Sequence, residues 1–256
     1  MKKLILALSA TFTLTTSFYY LNETHKVNPT IEKAKTVTAQ SNLTTEVHTT
    51  NSTATEDLYN GINFDSGNKL NIDVFSKAYL GFENLKKAGK LDANAHLLSV
   101  CDFSLSSNTK RLWVIDVNEK KVLFNSLVAH GKNTGEEFAT DFSNRESSYQ
   151  SSLGFYITDV TYNGSNGYSL RLLGMDKGFN DAALQRAIVM HGADYVSEDF
   201  AAAHKRIGRS WGCPAVPRTL AEPIINTIKG KNALFIYYPD QDYLSSSQWL
   251  KENSNS

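Results

Sequence analysis

The sequence predicts a mainly β protein: a curved antiparallel sheet, arranged as a sandwich or partial barrel, with a few short helices and an N-terminal docking helix. Two observations lead to this fold class. Apolar residues follow a period of two in many short segments from residue 97 onward. Segments with the 3.6-residue spacing of a helix are few by comparison, and the first of them precedes the strands.

The N-terminus has the composition of an export segment. Lys2 and Lys3 precede an apolar stretch that runs to residue 21, which is the arrangement of a secretory signal peptide. The stretch lacks a clear small-residue cleavage site, and its aromatic residues 18–20 are typical of a membrane interface. Residues 1–21 are therefore either a signal peptide or an N-terminal anchor. In both cases we expect the folded part to be exported to the periplasm or cell envelope.

Between this segment and the strands, the composition changes twice. Residues 22–66 are rich in Thr, Asn, Ser, Lys and Glu and cannot bury enough apolar surface to offset their ordering entropy. They are predicted to be a disordered linker. Residues 67–95 are a helical pre-domain segment whose helix ends near Gly89. Its apolar residues at helical spacing are Val74, Phe75, Ala78, Tyr79, Phe82 and Leu85.

Residues 96–243 carry the predicted strands and form the main domain, followed by a polar tail at residues 244–256. Two further helices are expected, around residues 199–205 and 220–229. The predicted strands cover residues 96–105, 111–117, 121–129, 154–158, 169–173, 187–190 and 233–238.

The charge balance excludes some classes of partner. The 256 residues include 26 Lys and Arg and 26 Asp and Glu, so the formal net charge is +0. No basic field attracts nucleic acid or an anionic membrane surface, and membrane contact is expected only through an anchor at the N-terminus.

With 41% hydrophobic residues, the chain can form one domain with a core plus some non-globular sequence. We expect a monomer.

Residues 206–214, Arg-Ile-Gly-Arg-Ser-Trp-Gly-Cys-Pro, carry the strongest chemical signal. Cys213 follows Gly212, which permits a sharp turn, and His191 ends an apolar, β-branched run that predicts a buried strand. A thiolate nucleophile and an imidazole that takes and returns its proton are the minimum for thiol catalysis. We expect the amides of residues 211–213 to face a developing oxyanion and the nearby arginines to depress the pKa of Cys213.

His191-Gly192 followed by Ser210-Trp211-Gly212-Cys213 resembles the His…Ser-x-Gly-Cys signature of the L,D-transpeptidases, the YkuD-like enzymes that cross-link peptidoglycan. The sequence is most similar to the branch of murein L,D-transpeptidase catalytic domain proteins, over roughly residues 102–243. Besides the core motif, the matching blocks are residues 128–132, 151–155, 167–171 and 186–189. Because five blocks match in order, the resemblance is specific.

The resemblance implies a cysteine-dependent acyltransferase that needs no cofactor and acts on donor and acceptor stem peptides of peptidoglycan. Cys213 would form a thioester with a tetrapeptide stem, and a neighbouring amine would resolve it into a 3→3 cross-link. His191 would be the general base and acid, with a main-chain carbonyl as its partner. Ser210 and Gly212 would shape the turn and the oxyanion site.

Substrate binding is expected from residues near the signature. Many family members have an arginine two residues after the cysteine, where this sequence has Ala215. Either Arg209 or Arg218 then does the work of that residue, or the substrate carboxylate is held differently; of the arginines, Arg209 is the best placed. Trp211 and Tyr195 would exclude water from the thioester, while His130 either lines the cleft or is bonded to backbone. The substrate-binding candidates are Arg209, Trp211, Tyr195, His130, Arg218 and Arg171.

Two other interpretations stay open. Water in place of the acceptor amine would make the protein an L,D-carboxypeptidase that trims tetrapeptide stems. Alternatively, a Cys101–Cys213 disulfide would make it a non-catalytic wall-binding module, although the apolar strand around Cys101 favours a buried free thiol. No metal is expected, because His130, His191 and Cys213 lack the short spacing of a zinc site.

Overall fold

The structure is a computed structural model that describes residues 53–64 and 67–252. The predicted signal peptide or anchor, most of the predicted linker and the end of the predicted tail lie outside the described residues. Among the helices that the structure describes, none has the length and apolarity needed to cross a membrane.

In the described part of the main domain, more residues lie in strands than in helices. The described residues contain the strands β1 (Leu97–Asp102), β2 (Leu112–Asp116), β3 (Lys121–Ser126), β4 (Gly154–Gly164), β5 (Gly167–Gly174), β6 (Val189–Ala193), β7 (Ala215–Pro217) and β8 (Ala233–Tyr237). The helices are α1 (residues 53–61), α2 (Ile72–Lys87), α3 (Glu198–His204), α4 (Arg218–Ile228) and α5 (Gln241–Ser246), with a 3₁₀ turn at Gln248–Leu250.

In the described part of the chain, the strands form one mixed sheet in the order β3-β2-β1-β8-β4-β5-β6-β7. The pairs β1–β8 and β6–β7 are parallel, and the other neighbours are antiparallel. The chain leaving β3 crosses to the opposite edge, where Ala129 N–H donates to Ala215 O at 2.8 Å. The sheet is therefore nearly closed as a barrel, and the predicted mainly β fold class is confirmed.

Helix α2 is the docking helix that the sequence predicted. Asn71 caps its first turn by accepting the N–H groups of Asp73 and Val74, and Gly89 follows its end at a φ of +64°. Its apolar side, which includes Phe75 and Leu85, is buried in the core that the sheet shares. Capping residues and periodicity therefore agree on where this helix begins, ends and packs.

The beginning of the predicted polar tail folds onto the domain. Ser247 Oγ donates to the buried carboxylate of Asp176, and Trp249 Nε1–H donates to Met175 O at 2.9 Å. Asn84 of α2 donates to Trp249 O at 2.9 Å. A single buried tryptophan in a polar stretch gives no periodic pattern, so the sequence did not predict this contact.

Two strands near the signature differ from the sequence prediction. The strand carrying His191 was expected to end at that residue, but β6 continues to Ala193 because β7 pairs with Gly192 and Ala193. β7 was not predicted, since its three residues are too few to show a period of two.

We predict that Gly81→Ala destabilises the protein although alanine favours helix by about 1 kcal/mol. A Cβ at Gly81 in α2 would lie 2.0 Å from Cζ of Phe155, so the helix must move off the sheet. The free energy of unfolding in urea should fall by about 1–3 kcal/mol. Lys87→Ala, at an exposed position of the same helix, is the control. An unchanged stability of Gly81→Ala would show that α2 is not held against Phe155.

Candidate active site

The signature residues form a turn that Ser210 closes. Its hydroxyl donates to Cys213 O at 2.6 Å and accepts the Gly212 N–H at 3.1 Å. Its backbone pairs with the segment after β3, since Ser210 N–H donates to His130 O at 2.9 Å and Lys132 N–H donates to Ser210 O at 2.8 Å. Ser210 thus fixes the turn, the role that the resemblance implied for it.

Gly212 occupies a position that no other residue fits. Its φ is +121°, and a Cβ there would lie 2.6 Å from Gln150 O. Its carbonyl accepts the Ser151 hydroxyl at 3.3 Å. Its amide donates to Ser210 Oγ and is therefore not free to bind an oxyanion. The sequence had suggested that this amide would face the oxyanion. Within the described residues, the amides of Trp211 and Cys213 donate to no other group, so these two are available.

The thiol of Cys213 lies against the start of β6. Val189 N–H approaches Sγ at 3.5 Å, and Sγ lies 3.8 Å from Ala187 O. The residue is half-buried and its thiol is free. Ala187 has a φ of +53°, which is uncommon for a residue with a side chain and turns its carbonyl toward the thiol.

The parallel register of β6 and β7 brings His191 to the cysteine. The Cα of His191 pairs with that of Ala215, and Cys213 precedes Ala215 by two residues. The sulfur lies beside Val189, which precedes His191 by two residues on the neighbouring strand. The register therefore places the thiol against the strand that carries His191, two residues before it.

A main-chain carbonyl orients the buried His191 ring. Nδ1 lies 3.1 Å from Gly192 O, so a proton on Nδ1 is satisfied and Nε2 is the basic nitrogen. This is the type of partner that the resemblance implied. Across the described residues, no hydrogen bond joins the ring to Cys213 Sγ. Proton transfer between the two groups therefore requires a movement that brings the imidazole and the thiol into contact.

Both groups are neutral at pH 7 in this structure. Burial raises the pKa of Cys213, while the Val189 amide and the Arg186 guanidinium lower it by less. Burial lowers the pKa of His191, the Gly192 carbonyl raises it, and Arg218 lowers it. The expectation of a depressed Cys213 pKa was wrong because desolvation outweighs the positive charge. Attack by sulfur therefore needs proton transfer to the imidazole.

Arg186 is the cation that acts on the thiol, and sequence reasoning did not single it out. Its guanidinium donates to Gln150 O at 2.6 Å, to Ser143 O at 2.8 Å, to Ser148 Oγ at 3.2 Å and to Ser152 Oγ. These acceptors form the wall that presses on Gly212. The only signal in the sequence was the matching block at residues 186–189.

Arg209 has a structural role besides the predicted one. Its Nη1 donates to Lys132 O, Gly135 O and Glu136 Oε1 at 3.0, 2.9 and 2.6 Å. The guanidinium thereby holds the loop of residues 132–136 against the turn. These contacts occupy Nη1, so a substrate carboxylate would have to use the remaining Nε and Nη2 donors of Arg209.

The other two predicted arginines lie away from the thiol. Arg218 begins α4 and pairs with Asp194 at 2.5 Å, beside a cleft that contains neither Cys213 nor His191. Arg171 is exposed on β5, with its guanidinium 5.3 Å from the ring centre of Tyr162. The structure does not bring either of them to Cys213.

His130 belongs to the support of the site and does not line its surface. The residue is 1% exposed, and Arg111 Nη2 lies 2.8 Å from its Nδ1 while its Nε2 lies 3.3 Å from Gly135 O. Burial and the adjacent Arg111 lower the pKa of His130 to about 4. Of the two interpretations that the sequence left open for His130, the structure favours a histidine bonded to backbone over one that lines the cleft.

The two predicted aromatic residues lie near the thiol in different settings. Tyr195 packs on Gly208, and burial together with the nearby Cys213 raises the pKa of its hydroxyl to about 12. Trp211 is 71% exposed, with its ring centre 5.6 Å from that of Tyr149. Tyr195 is thus a wall of the site, while Trp211 stands on the outer surface. In the described residues, no cluster of three or more His, Cys, Asp or Glu is placed to hold a metal.

A half-buried thiol beside a histidine that is fixed through Nδ1 is the arrangement of cysteine-dependent acyl-transfer enzymes. The chain belongs to the L,D-transpeptidase catalytic domain family, whose model matches residues 66–237, more than half of the 256 residues. The family assignment made from the signature is confirmed. No curated protein sequence matches the chain.

Solved structures of L,D-transpeptidases are distant in sequence. An enzyme from Mycobacterium smegmatis is 12% identical, with 56% of this chain and 59% of that chain covered and a TM-score of 0.35. An L,D-transpeptidase from Mycobacterium tuberculosis H37Rv is 15% identical, with 56% of this chain and 58% of that chain covered and a TM-score of 0.33. The helical cell shape determining protein Pgp2 (K307A mutant) from Campylobacter jejuni is 13% identical, with 68% of this chain and 60% of that chain covered and a TM-score of 0.37. The chain thus spans less than two thirds of each of these proteins, and family membership rests on the family model.

We predict that Arg186→Met raises the pKa of Cys213, because the substitution removes the cation that favours the thiolate. Iodoacetamide alkylation of Cys213, followed by peptide mass spectrometry against pH, should shift its midpoint to higher pH. Arg145→Met, which replaces an exposed arginine in the segment that Arg186 contacts, should leave the midpoint unchanged. The midpoint for Arg186→Lys should lie between those of the wild type and Arg186→Met. A midpoint unaffected by Arg186→Met would show that this charge does not act on the sulfur.

Proposed function

We propose that the protein is an exported peptidoglycan L,D-transpeptidase that forms 3→3 cross-links from tetrapeptide stems through a thioester on Cys213. The observation that carries the proposal is the pairing of Cys213 Sγ with the β6 segment that presents His191, whose Nδ1 is held by Gly192 O. Family membership supplies the reaction class. The assignment of each step to residues of this chain is our inference.

In the first step, Cys213 attacks the carbonyl carbon of the L-centre at the third stem residue. The thiol proton passes to Nε2 of His191, and the carbonyl oxygen becomes an oxyanion. The amides of Trp211 and Cys213 are the donors that this oxyanion can reach. Collapse of the intermediate breaks the bond to the terminal D-alanine, whose amine takes the proton from His191.

In the second step, the amine of a neighbouring stem attacks the thioester carbonyl and gives its proton to Nε2 of His191. The carbon–sulfur bond breaks as the new amide bond forms, and the leaving thiolate of Cys213 recovers the proton. Atoms and charges balance over the two steps without a cofactor. The imidazole acts as base and then as acid in both.

One observation favours the L,D-carboxypeptidase as a second candidate. Trp211, expected to keep water away from the thioester, is 71% exposed and does not cover Cys213 as a closed lid would. Water then competes with the acceptor amine for the same acyl-enzyme. The two activities differ only in which nucleophile arrives.

The third interpretation, a module stapled by a disulfide, has no support in the structure. Cys101 and Cys213 are both free thiols. Cys101 lies in the middle of β1 with no exposed surface, and burial raises the pKa of its thiol. It behaves as a small apolar side chain of the core.

Cys213→Ser should abolish turnover, on the order of 10³-fold or more, with little change in fold because the substitution is nearly isosteric. Cys101→Ser is the matched control and should keep activity with a modest loss of stability. Intact mass after incubation with a carbapenem should show one adduct on the wild type and Cys101→Ser and none on Cys213→Ser. An adduct on Cys213→Ser would assign the nucleophile elsewhere.

Trp211→Ala should raise the ratio of hydrolysis to cross-linking several-fold while acylation changes less, because the exposed indole beside the turn offers the acceptor stem a surface to pack on, and its loss would slow attack by the amine more than attack by water. Muropeptide tetrapeptides serve as donor and acceptor, and mass spectrometry counts dimers against tripeptides. Leu184→Ala, an exposed apolar residue outside the turn, is the control. A wild type that yields tripeptide alone would replace the transpeptidase proposal with the carboxypeptidase.

A further inference from the structure

The arginines near the turn are already engaged. Arg209 and Arg206 share the carboxylate of Glu136, and Arg218 is paired with Asp194. Arg186 uses its guanidinium on the wall of residues 143–152. Each of these side chains is tied to a loop by contacts that a large movement toward a substrate would break, so a cation that forms no ion pair is a better candidate for a carboxylate site at the turn.

Lys132 is placed to supply that cation. Its N–H donates to Ser210 O, and the preceding residue Gly131 forms a bridge with Ser210, so its backbone is fixed beside the turn. A Cβ on Gly131 would lie 3.0 Å from Gly212 Cα, which shows how closely this segment approaches the residue before Cys213. Within the described residues, Lys132 forms no ion pair with an acidic side chain.

Two aromatic rings hold the Lys132 ammonium. Nζ lies 4.1 Å from the ring centre of Tyr149 and 5.8 Å from that of Trp211. Such cation–π contacts restrict a flexible lysine without neutralising its charge, since a ring face attracts the ammonium but accepts no full hydrogen bond. The ammonium therefore keeps donors for a ligand and loses less side-chain entropy on binding one.

We propose that Lys132, held by Tyr149 and Trp211, forms a carboxylate-binding subsite for the stem peptide beside Cys213. The inference rests on the proposed function. The ammonium binds the carboxylate as a point charge, and the exposed face of Trp211 packs on the apolar part of the neighbouring stem residue. The subsite takes the place of the arginine that the family commonly has where Ala215 stands in this chain. Two stem carboxylates fit this chemistry, the terminal one of D-alanine and the one on the side chain of a diamino acid at position three.

The test measures binding without turnover, using Cys213→Ser and isothermal titration with three tetrapeptide stems. One stem has both carboxylates free, one is amidated at the terminus, and one is amidated on the side chain. One of the two amidations should weaken binding on the order of tenfold, and that stem identifies the carboxylate bound. Adding Lys132→Met should weaken binding of the stem with free carboxylates by the same factor as that amidation, and it should remove the difference in affinity between the free and the amidated stem. Adding Lys132→Arg should keep most of it.

Lys90→Met, an exposed lysine after α2, is the matched control and should change nothing. Lys132→Met with Cys213 intact should alkylate with neutral iodoacetamide at the wild-type rate, which separates loss of the subsite from damage to the fold. If both amidated stems bind as well as the free one, or if Lys132→Met keeps the preference, the subsite is refuted while the carbapenem adduct of the wild type still supports the proposed function. If no stem binds and no adduct forms, both proposals fail.

Discussion

The pairing of the segment after β3 with the far edge of the sheet is the interaction on which the site depends. Ala129 bonds to Ala215, and residues 130–132 bond to Ser210 on either side. This pairing nearly closes the sheet and gives the Ser210–Cys213 turn a rigid neighbour. Without it, the turn would be a loop at an unpaired edge, and the thiol would lose its fixed distance from β6.

A buried cation supports that closing segment. Arg111 is fully buried, and its guanidinium donates to Val128 O, Leu105 O and the His130 ring, with Phe103 beside it. Burial lowers its pKa to about 10. Desolvating a guanidinium is costly, and carbonyl acceptors offset that cost only when they stand in fixed positions. Arg111 therefore couples the core to the geometry of the segment that carries His130 and Lys132.

The sequence predicted the fold and pointed to Cys213 and His191 as candidates because both inferences depend on local signals. Period-two runs marked β1 and β2, and the glycine before Cys213 marked the turn. The roles of the arginines were not predictable in this way. Arg186 and Arg209 lie within 25 residues of each other in sequence, yet their acceptors come from residues 143–152 and 132–136, which only the closed sheet brings near. Burial of Cys213, which reversed its expected pKa shift, is likewise a property of packing between distant segments.

The contact between Asn84 and Trp249 spans 165 positions of the chain, and β1 pairs in parallel with β8. Strand β8 and the segment around Trp249 thus complete the packing of α2 and β1, which come much earlier in the chain. Contacts of such high sequence separation delay folding, because the entropy of closing the whole loop is lost before the contacts form. The core of this domain therefore closes only when β8 and the segment around Trp249 have joined it, and until then its apolar elements lack part of their packing.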